Sequence, residues 1–359
     1  MPELPEVETI RRVLAVHLPG RVIAGVQCRR ADVVAGPSPE DLARLLAGGR
    51  FVRVGRRGKY LLLWVERDGG LVQPVEGAGP VSSDSAFAAR AAGGASPVAG
   101  GSPASREGNG THPSLLVGVH LRMTGRLTLA RRGEPLPPHT HVVIQLVPVG
   151  PPGDPWDELR FSDTRRFGRF YLMDPRAAAG VVAAAEWGDD PPPLPRGSVA
   201  GAAGGSGAMV PPAGLLQLGP EPLGPQFGPG ALARRLAGRR APVKAVLLDQ
   251  RVVAGLGNIY ADEALFRARI DPRRAAGSLA PGEVARLVRS IRAVLRDALA
   301  AGGTTFSDYR DGLGREGAFA PRLAVYGRAG RPCRRCGTPI ATTRLAGRTT
   351  HFCPSCQGA

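Results

Sequence analysis

The chain opens with Met1-Pro2-Glu3-Leu4-Pro5-Glu6-Val7-Glu8-Thr9, and this stretch leads into a run with helical periodicity. Apolar residues recur at helical spacing over residues 5–18, and Pro19-Gly20 ends the pattern. We therefore predict an amphipathic helix there. Prolines and acidic residues are common in a first helical turn, so the opening stretch is compatible with an ordinary helix N-terminus.

Pro2 offers a second, chemical interpretation of the same stretch. A small residue at position 2 allows the initiator methionine to be removed, which leaves Pro2 with a free secondary amine. Such an amine can attack an electrophilic carbon and form an iminium. Its pKa of roughly 8 lies below that of lysine, and the positive end of the helix dipole lowers that pKa further. Glu3 can serve as general acid and base when burial tunes its pKa. The nonapeptide alone leaves both interpretations open.

The composition predicts a basic protein of two or three domains with a polyanionic partner. The chain has 359 residues, and 47 Lys+Arg against 30 Asp+Glu give a formal net charge of +17. Arginine outnumbers lysine, which suits bidentate phosphate contacts, so nucleic acid is the leading partner. A membrane is disfavoured because no long apolar run is present. The acidic N-terminus is unlike a secretory signal, so we expect a cytoplasmic protein.

Two Cys-x-x-Cys pairs near the C-terminus predict a metal site. Cys333 and Cys336 are followed, after 16 residues, by Cys353 and Cys356, which matches the spacing of four-cysteine zinc sites. In a reducing compartment such pairs indicate metal rather than disulfides. Four thiolates leave no open position, so one structural Zn²⁺ is predicted. Residues 341–344 and 348–352 predict a two-stranded ribbon, and His351 is a further candidate ligand that four cysteines make unnecessary.

Hydrophobic patterning divides the rest of the chain into a β half and a helical half. Short β-type runs separated by Gly/Pro turns predict a sandwich or a barrel. These runs are residues 22–28, 51–54, 60–65, 115–121, 127–129, 142–147, 159–161 and 170–172. After residue 215 the periodicity is helical, at residues 231–236, 243–248, 260–267 and 284–299. A basic helical region beside a metal site is typical of a DNA-binding half.

Two segments rich in Gly, Ala, Ser and Pro interrupt this pattern. Residues 67–113 are predicted to be a disordered insertion and residues 189–214 a linker. The predicted fold is α+β and multidomain. Its N-terminal β-sandwich domain with flanking helices spans residues 1–188, its helical DNA-binding domain residues 215–320, and its zinc-finger hairpin residues 321–359.

Nine motifs occur in a fixed order along the chain. They are Pro2-Glu3-Leu4-Pro5-Glu6-Val7-Glu8-Thr9, Arg56-Arg57-Gly58-Lys59-Tyr60-Leu61, His120-Leu121-Arg122-Met123-Thr124-Gly125, Arg165-Arg166-Phe167-Gly168, Leu218-Gly219-Pro220-Glu221-Pro222-Leu223, Gly257-Asn258-Ile259-Tyr260-Ala261, Gly302-Gly303-Thr304-Thr305, Val325-Tyr326-Gly327-Arg328 and the four-cysteine finger. In this order they resemble the formamidopyrimidine-DNA glycosylase family, bifunctional base-excision enzymes for oxidised purines. The resemblance implies an N-terminal β-sandwich, a helix–two-turn–helix domain and a zinc finger, with double-stranded DNA bound in the cleft between the halves.

The resemblance also implies catalytic roles for five residues. Pro2 is the implied nucleophile at C1′ of the damaged nucleotide, and Glu3 the implied proton donor to the opening deoxyribose. Glu6 is implied as a supporting carboxylate, and Lys59 as the donor for β-elimination and a phosphate contact. Arg348 matches the donor assigned to δ-elimination. Because an arginine pKa above about 12 makes a poor acid, we interpret Arg348 mainly as a phosphate clamp.

Four further positions match DNA backbone contacts of the family. His120 and Asn258 match phosphate-binding positions, and His139 and Arg239 match other backbone contacts. Asn258 suits this task because its amide and the neighbouring N–H groups open a helix toward an anion.

Met123, Arg165 and Phe167 match the three residues that fill the gap left by an everted base. Without the resemblance, a Met or Phe beside strands is usually a core residue and a lone Arg a solvated charge. Three places depart from the family pattern. Asp163-Thr164 replaces the Asp-Pro that often precedes the Arg-Arg-Phe. Arg122 stands where glycine is common, and Ser307 stands where some members carry a lysine, in a region that resembles the loop covering the everted base.

Two other functions are compatible with parts of this sequence. An endonuclease VIII-like enzyme shares Pro2, Glu3, the helical region and the finger but prefers oxidised pyrimidines. The continuation from Leu4 to Thr9, together with Arg165-Arg166-Phe167, favours the purine branch. A non-catalytic zinc-ribbon DNA-binding protein predicts salt-sensitive duplex binding without a covalent adduct, and the intact catalytic set weighs against it. A monomer is expected.

Overall fold

A computed structural model describes residues 1–67, 114–147, 155–178, 180 and 209–358. All of these residues belong to one compact unit of the chain. The predicted insertion lies outside the described residues apart from Arg67, and so does the predicted linker apart from residues 209–214. No described helix is both long enough and apolar enough to cross a membrane.

The N-terminal half is built on one mainly antiparallel sheet with two helices beside it. The helices are α1 (Leu4–His17) and α2 (Pro39–Leu46). The strands are β1 (Val22–Cys28), β2 (Val34–Ala35), β3 (Arg50–Arg57), β4 (Tyr60–Glu66), β5 (Leu115–His120), β6 (Arg126–Ala130), β7 (Thr140–Val147), β8 (Glu158–Ser162) and β9 (Arg169–Met173). Each predicted β-type run falls on one of these strands.

The sheet folds over on itself into two layers. Its strand order is β2-β9-β5-β4-β3-β1-β7-β8-β6, and only β2 and β9 pair in parallel. Five strands separate β8, which carries Phe161, from β9, which carries Phe170, yet the two ring centroids are 5.1 Å apart. Val7, Ile10 and Leu14 of α1 are fully buried in the core between these layers. The described sheet therefore has the predicted sandwich arrangement.

The second half is helical and packs around a core of its own. Its helices are α3 (Ala213–Leu216), α4 (Pro229–Leu236), α5 (Val243–Leu248), α6 (Asn258–Ala268) and α7 (Pro281–Ala300). α3 begins inside the predicted linker. Leu4, the first residue of α1, is buried in this helical core, and its N–H donates to the Gly255 carbonyl at 3.0 Å. The start of α1 therefore belongs to both halves.

A short hairpin closes the chain. It consists of β10 (Ala341–Leu345), β11 (Arg348–Phe352) and the helical turn α8 (Pro354–Gln357). The apolar cluster that packs there is small: Phe266 of α6, Val325, Cys333, Ile340 and Cys353. A segment that buries so little apolar surface needs a further constraint to hold its shape. The α+β fold class, with a sheet, a helical region and a cysteine hairpin, is confirmed.

Candidate active site

The starts of two helices meet at the centre of the molecule. The Glu3 N–H donates to Glu6 Oε2 at 2.8 Å, so the third helical residue of α1 satisfies a free donor at its own N-terminus. The Glu3 carboxylate in turn accepts from the Ile259 N–H, at the start of α6, at 2.9 Å. Gly257 allows this approach, because a Cβ there would lie 2.3 Å from the Glu3 carboxyl carbon. Glu3 is thereby held against the second half of the chain.

Burial controls the protonation of Glu3. The side chain is 1 % exposed, and this loss of water raises the pKa of its carboxyl to about 7, against the opposing field of Lys59. The nearby Glu6 carboxylate adds to the rise. At neutral pH a substantial fraction of Glu3 is protonated, so it can donate a proton.

Glu6 is held by groups from the helical half. Its Oε1 accepts from the Tyr260 hydroxyl and from the Thr304 N–H, the latter at 2.7 Å. Tyr260 Oη and Thr304 Oγ1 are also hydrogen-bonded, at 2.8 Å. Burial raises the pKa of Glu6 despite these hydrogen bonds. Gly303 approaches Glu6 closely with a φ of 90°, a conformation that favours glycine.

Lys59 lies in the turn between β3 and β4, above a buried cluster of ion pairs. Arg56 Nε donates to Glu8 Oε2 at 3.0 Å, and the Arg56 and Arg57 guanidinium groups donate to Glu221 at 2.8 and 2.9 Å. Glu221 comes from the helical half, so this cluster fixes the turn across both halves. Lys59 is itself only 6 % exposed. Burial lowers the pKa of its amine, while Glu3 and Glu6 oppose that shift.

Two adjoining cavities open onto these groups. The smaller has a volume of about 40 Å³ and is bordered by Pro2 and Glu6, and the larger, of about 250 Å³, is bordered by Glu3 and Lys59. Met1, Met123 and Ile259 border both. The predicted site residues around the two cavities are Pro2, Glu3, Glu6, Lys59, Met123, Asn258 and Arg348. The structure thus brings all five predicted catalytic residues together.

The hairpin presents Arg348 to the larger cavity through contacts with the helical half. The Thr349 carbonyl accepts from Asn258 Nδ2 at 3.1 Å and from Lys244 Nζ at 3.2 Å. Lys244 and Asp262 form a fully buried ion pair at 2.6 Å. This pair holds the hairpin at the residue next to Arg348.

The four cysteines of the hairpin form a metal site. The sulfur atoms of Cys333, Cys336, Cys353 and Cys356 all lie within 4.8 Å of one another. A tetrahedral zinc with Zn–S bonds of about 2.3 Å needs sulfurs about 3.8 Å apart, so the donor set and its spacing fit a structural Zn²⁺. His351 is not part of this set. Its Nδ1 lies 3.2 Å from Asp262 Oδ2.

Comparison with known proteins agrees with this architecture. Three family models match the chain: the formamidopyrimidine-DNA glycosylase N-terminal domain over residues 1–170, the formamidopyrimidine-DNA glycosylase H2TH domain over residues 218–310, and the zinc finger found in FPG and IleRS over residues 330–358. The formamidopyrimidine-DNA glycosylase of Moorella thermoacetica is 44 % identical over 96 % of the chain and 95 % of its own length. That of Symbiobacterium thermophilum is 42 % identical over 99 % of the chain and 89 % of its own length.

The chain belongs to the formamidopyrimidine-DNA glycosylase family. The MutM (FPG) protein of Thermus thermophilus has a similar structure, with a TM-score of 0.68, 35 % identity and 99 % of each chain covered. A Lactococcus lactis FPG mutant, in complex with DNA containing Fapy-dG, superposes with a TM-score of 0.72 at 27 % identity over the whole of both chains. Family membership makes the chain a DNA glycosylase, and it confirms the predicted resemblance.

In the described part of the chain, five predicted DNA contacts border neither cavity: His120, His139, Arg165, Phe167 and Arg239. His120 is buried at the end of β5. Arg165 and Phe167 are exposed on the turn after β8, Phe167 by 53 %. Asp163 ties this turn to the Met123 loop, because its Oδ1 accepts from the Thr124 hydroxyl and from the Arg165 N–H.

His139 lies next to that turn, since its carbonyl accepts from the Asp163 N–H at 3.0 Å. Arg239 is exposed in the turn after α4 and is not joined to this group by the described contacts. Arg165, Phe167 and His139 are therefore clustered, whereas Arg239 stands apart from them.

The predictions missed the residues that hold the catalytic groups. Glu221, Tyr260 and Thr304 lie inside the motifs that carried the resemblance, but no role was assigned to them. The only sequence signal for Lys244 and Asp262 was that each is a charged residue at a helical position where the periodicity predicts an apolar one. Such a position is a usable signal, since a charge there is buried and must be paired.

Proposed function

We propose that this glycosylase excises oxidised purines, such as 8-oxoguanine and formamidopyrimidines, from duplex DNA and then cleaves the strand. Pro2 acts as the nucleophile after removal of Met1, which in the structure borders both cavities. The single observation that carries this proposal is the burial of Glu3, with a pKa of about 7, beside Pro2 and Lys59. The protein acts as a monomer on cytoplasmic, nucleoid DNA.

The glycosylase step joins enzyme and sugar. The lone pair of the Pro2 nitrogen forms a bond to C1′ as the bond between C1′ and the damaged base breaks. The base leaves with that electron pair and takes up the proton that the Pro2 nitrogen releases, so the nitrogen recovers a lone pair for the next step. Glu3 then protonates O4′ as the C1′–O4′ bond breaks, and the ring opens to a cationic iminium. A carboxyl whose pKa lies near neutrality suits this transfer.

The lyase steps follow from the iminium. It withdraws electrons and acidifies the C2′ hydrogen, so loss of that proton expels the 3′ phosphate by β-elimination. A second elimination expels the 5′ phosphate, and water then hydrolyses the iminium and restores the Pro2 amine. Lys59 supports the first elimination, because burial lowers its pKa and eases proton transfer. Arg348 holds a phosphate as a fixed cation.

The remaining predicted residues bind the duplex. His120, Asn258, His139 and Arg239 contact the backbone. A second group, Met123, Arg165 and Phe167, fills the gap left by the everted base. The hydrogen bond from the Thr124 hydroxyl to Asp163 supports this role, because it joins the two loops that carry the group. The Fapy-dG duplex bound by the Lactococcus lactis relative supports an oxidised purine as substrate.

Reductive trapping tests the proposal directly. The purified protein is mixed with an 8-oxoguanine:cytosine duplex and borohydride, and the adduct is mapped by mass spectrometry. We expect one adduct, on an N-terminal Pro2 that has lost Met1. A thymine-glycol duplex run in parallel distinguishes the pyrimidine-specific alternative, which predicts the larger yield there.

Pro2→Gly is the matched variant. It should retain duplex affinity and lose most strand cleavage, because glycine leaves a primary amine with different basicity and geometry. Full turnover by this variant, or normal incision by protein that retains Met1, contradicts the role of Pro2.

A further inference from the structure

Arg122 adopts a backbone conformation that is costly for its side chain. It lies between β5 and β6, immediately before Met123, and has a φ of 54°. An L-residue in this left-handed region crowds its Cβ against the backbone, whereas glycine adopts it freely. Arg122 is exposed, so packing does not explain an arginine here. The position therefore carries an arginine side chain in spite of the conformational cost.

The same turn fixes the state of His120. The Arg122 N–H donates to His120 Nδ1 at 3.0 Å, which leaves the ring proton on Nε2. Burial lowers the pKa of His120 to about 3, and the Arg122 charge adds to that shift. His120 is therefore neutral at working pH. It can donate one hydrogen bond to a phosphate, but it cannot balance the charge of that phosphate.

The charges of Arg122 and Lys59 both act on His120, and Arg122 is the one on the same turn. Its field reaches both His120 and Tyr60, whose rings lie 4.5 Å apart. Within the described ranges, no ion pair or hydrogen bond holds the guanidinium, whereas Arg56 and Arg57 are locked in buried pairs. Met123, the next residue, borders both cavities. The Arg122 side chain is thus unpaired at the edge of the site.

We propose that Arg122 binds the DNA phosphate that accepts the Nε2–H of His120, so that one turn supplies a neutral donor and a charge to the same anion. This inference rests on the proposed phosphate contact of His120. It adds a DNA-binding residue beyond the predicted set and gives the exposed arginine a function that justifies its conformation.

The salt dependence of duplex binding tests this assignment. Each phosphate contact contributes about 0.9 to the slope of log Kd against log salt concentration. The probe is a duplex with a tetrahydrofuran abasic analogue, which the enzyme cannot cleave. We expect Arg122→Gly to lower the slope by about 0.9 and to weaken binding about eightfold at ~0.1 M salt. Arg122→Lys keeps the charge and should keep the slope.

Arg269→Gly is the matched control. Arg269 caps the C-terminus of α6 and is also an exposed arginine with a left-handed φ, of 56°. α6 has 11 residues, which places Arg269 about 16 Å from Asn258 at 1.5 Å per residue. Both variants relieve the same backbone conformation and remove the same charge, so both should remain folded in thermal unfolding. Only Arg122→Gly should change the slope.

Two outcomes overturn the proposal: a wild-type slope for Arg122→Gly, or an equal fall for both glycine variants, which would indicate net charge alone. His120→Asn sharpens the test, because loss of a neutral donor should weaken binding without changing the slope. A failed trapping experiment with the wild-type protein would refute the proposed chemistry independently of these slopes.

Discussion

Lys59 and Arg348 bring two cations to one cavity from very different supports. Lys59 lies on a sheet turn that rests on buried pairs of Arg56 and Arg57 with Glu221. Arg348 lies on a short hairpin that depends on four metal-binding sulfurs and on contacts with the helical half. The first support comes from the folded chain itself, whereas the second depends on an ion.

Because Lys59 is buried and Arg348 is exposed, the two cations suit different chemical roles. Lys59 is 6 % exposed, and burial lowers its pKa, so it can take part in proton transfer. Arg348 is exposed and keeps its charge at any working pH. A tunable acid therefore needs the rigid, dry support, while a permanent phosphate clamp can be placed on a small metal-held module.

Loss of zinc should produce the largest effect. It should disrupt the hairpin that carries Arg348 and leave the sheet turn that carries Lys59 intact. Structural zinc contributes on the order of 10 kcal/mol to the folding of a small finger. Cys353→Ser should abolish zinc binding and weaken duplex binding by at least about tenfold, or about 1.4 kcal/mol. Metal analysis and anisotropy measure these changes.

The sheet should remain folded in that variant. Trp64 is buried in β4 and Trp156 lies next to β8, so their emission reports on the N-terminal half. We expect unchanged emission, and Cys28→Ser as a control should behave like the wild type throughout. A red-shifted spectrum on zinc loss would mean that the two supports are not independent.

Removal of Glu221 should destabilise the buried ion pairs that support the Lys59 turn. Glu221→Ala leaves the Arg56 and Arg57 charges buried with fewer partners, which should cost about 3–5 kcal/mol in the free energy of unfolding. Denaturant unfolding measures this loss. Glu316→Ala, at an exposed pair with Arg310, is the surface control and should cost less than about 1 kcal/mol. Equal costs would show that the buried cluster is not an anchor.

The sequence predicted the fold well where periodicity was long or strongly apolar. The predicted helix at residues 5–18 matches α1, and the β-type runs match the strands. α2 was missed because only Leu42 and Leu46 of its eight residues are buried, although Ser38 and Pro39 gave a helix-start signal that was not used. β2 has two residues and pairs only with β9, too short a segment for any pattern.

The candidate site depended on a different kind of information. Periodicity placed Glu3 and Glu6 at a helix start, but it could not bring Lys59 and Arg348 to them, because contacts between distant segments leave no local pattern. The ordered motifs supplied that link. The roles of Tyr260 and Thr304 were still missed, since they act by satisfying a buried carboxylate and have no reactive group that attracts notice. The domain boundaries at residues 188, 214 and 320 stay predictions.

The Lys244 and Asp262 pair allows the hairpin support to be tested without removing zinc. Lys244→Met keeps the length of the side chain but leaves Asp262 buried, with the His351 N–H still donating at 2.9 Å. The remaining partner limits the cost, which we expect to be about 3 kcal/mol in unfolding. Zinc content should stay at one, and the second elimination should slow relative to the first. An unchanged ratio of elimination products would mean that zinc alone positions Arg348.

The pH dependence of stability should show the smallest effect. It should depend on the buried Glu3 beside Lys59 and not on Arg348 on the hairpin. The folded pKa of about 7 lies above the ordinary 4.5, so the folded state binds more protons than the unfolded chain between these values. The stability that Glu3 contributes is therefore complete below about pH 4.5 and is lost as pH rises through about 7. Between about pH 5 and pH 8 this loss amounts to roughly 2.5 kcal/mol. Glu3→Gln should remove that part of the pH dependence, whereas Arg348→Ala should leave it intact because the Glu3 carboxyl that binds the proton is still present. If Glu3→Gln followed the wild-type curve, the carboxyl would have to be ionised throughout, and its role as proton donor would fail with it.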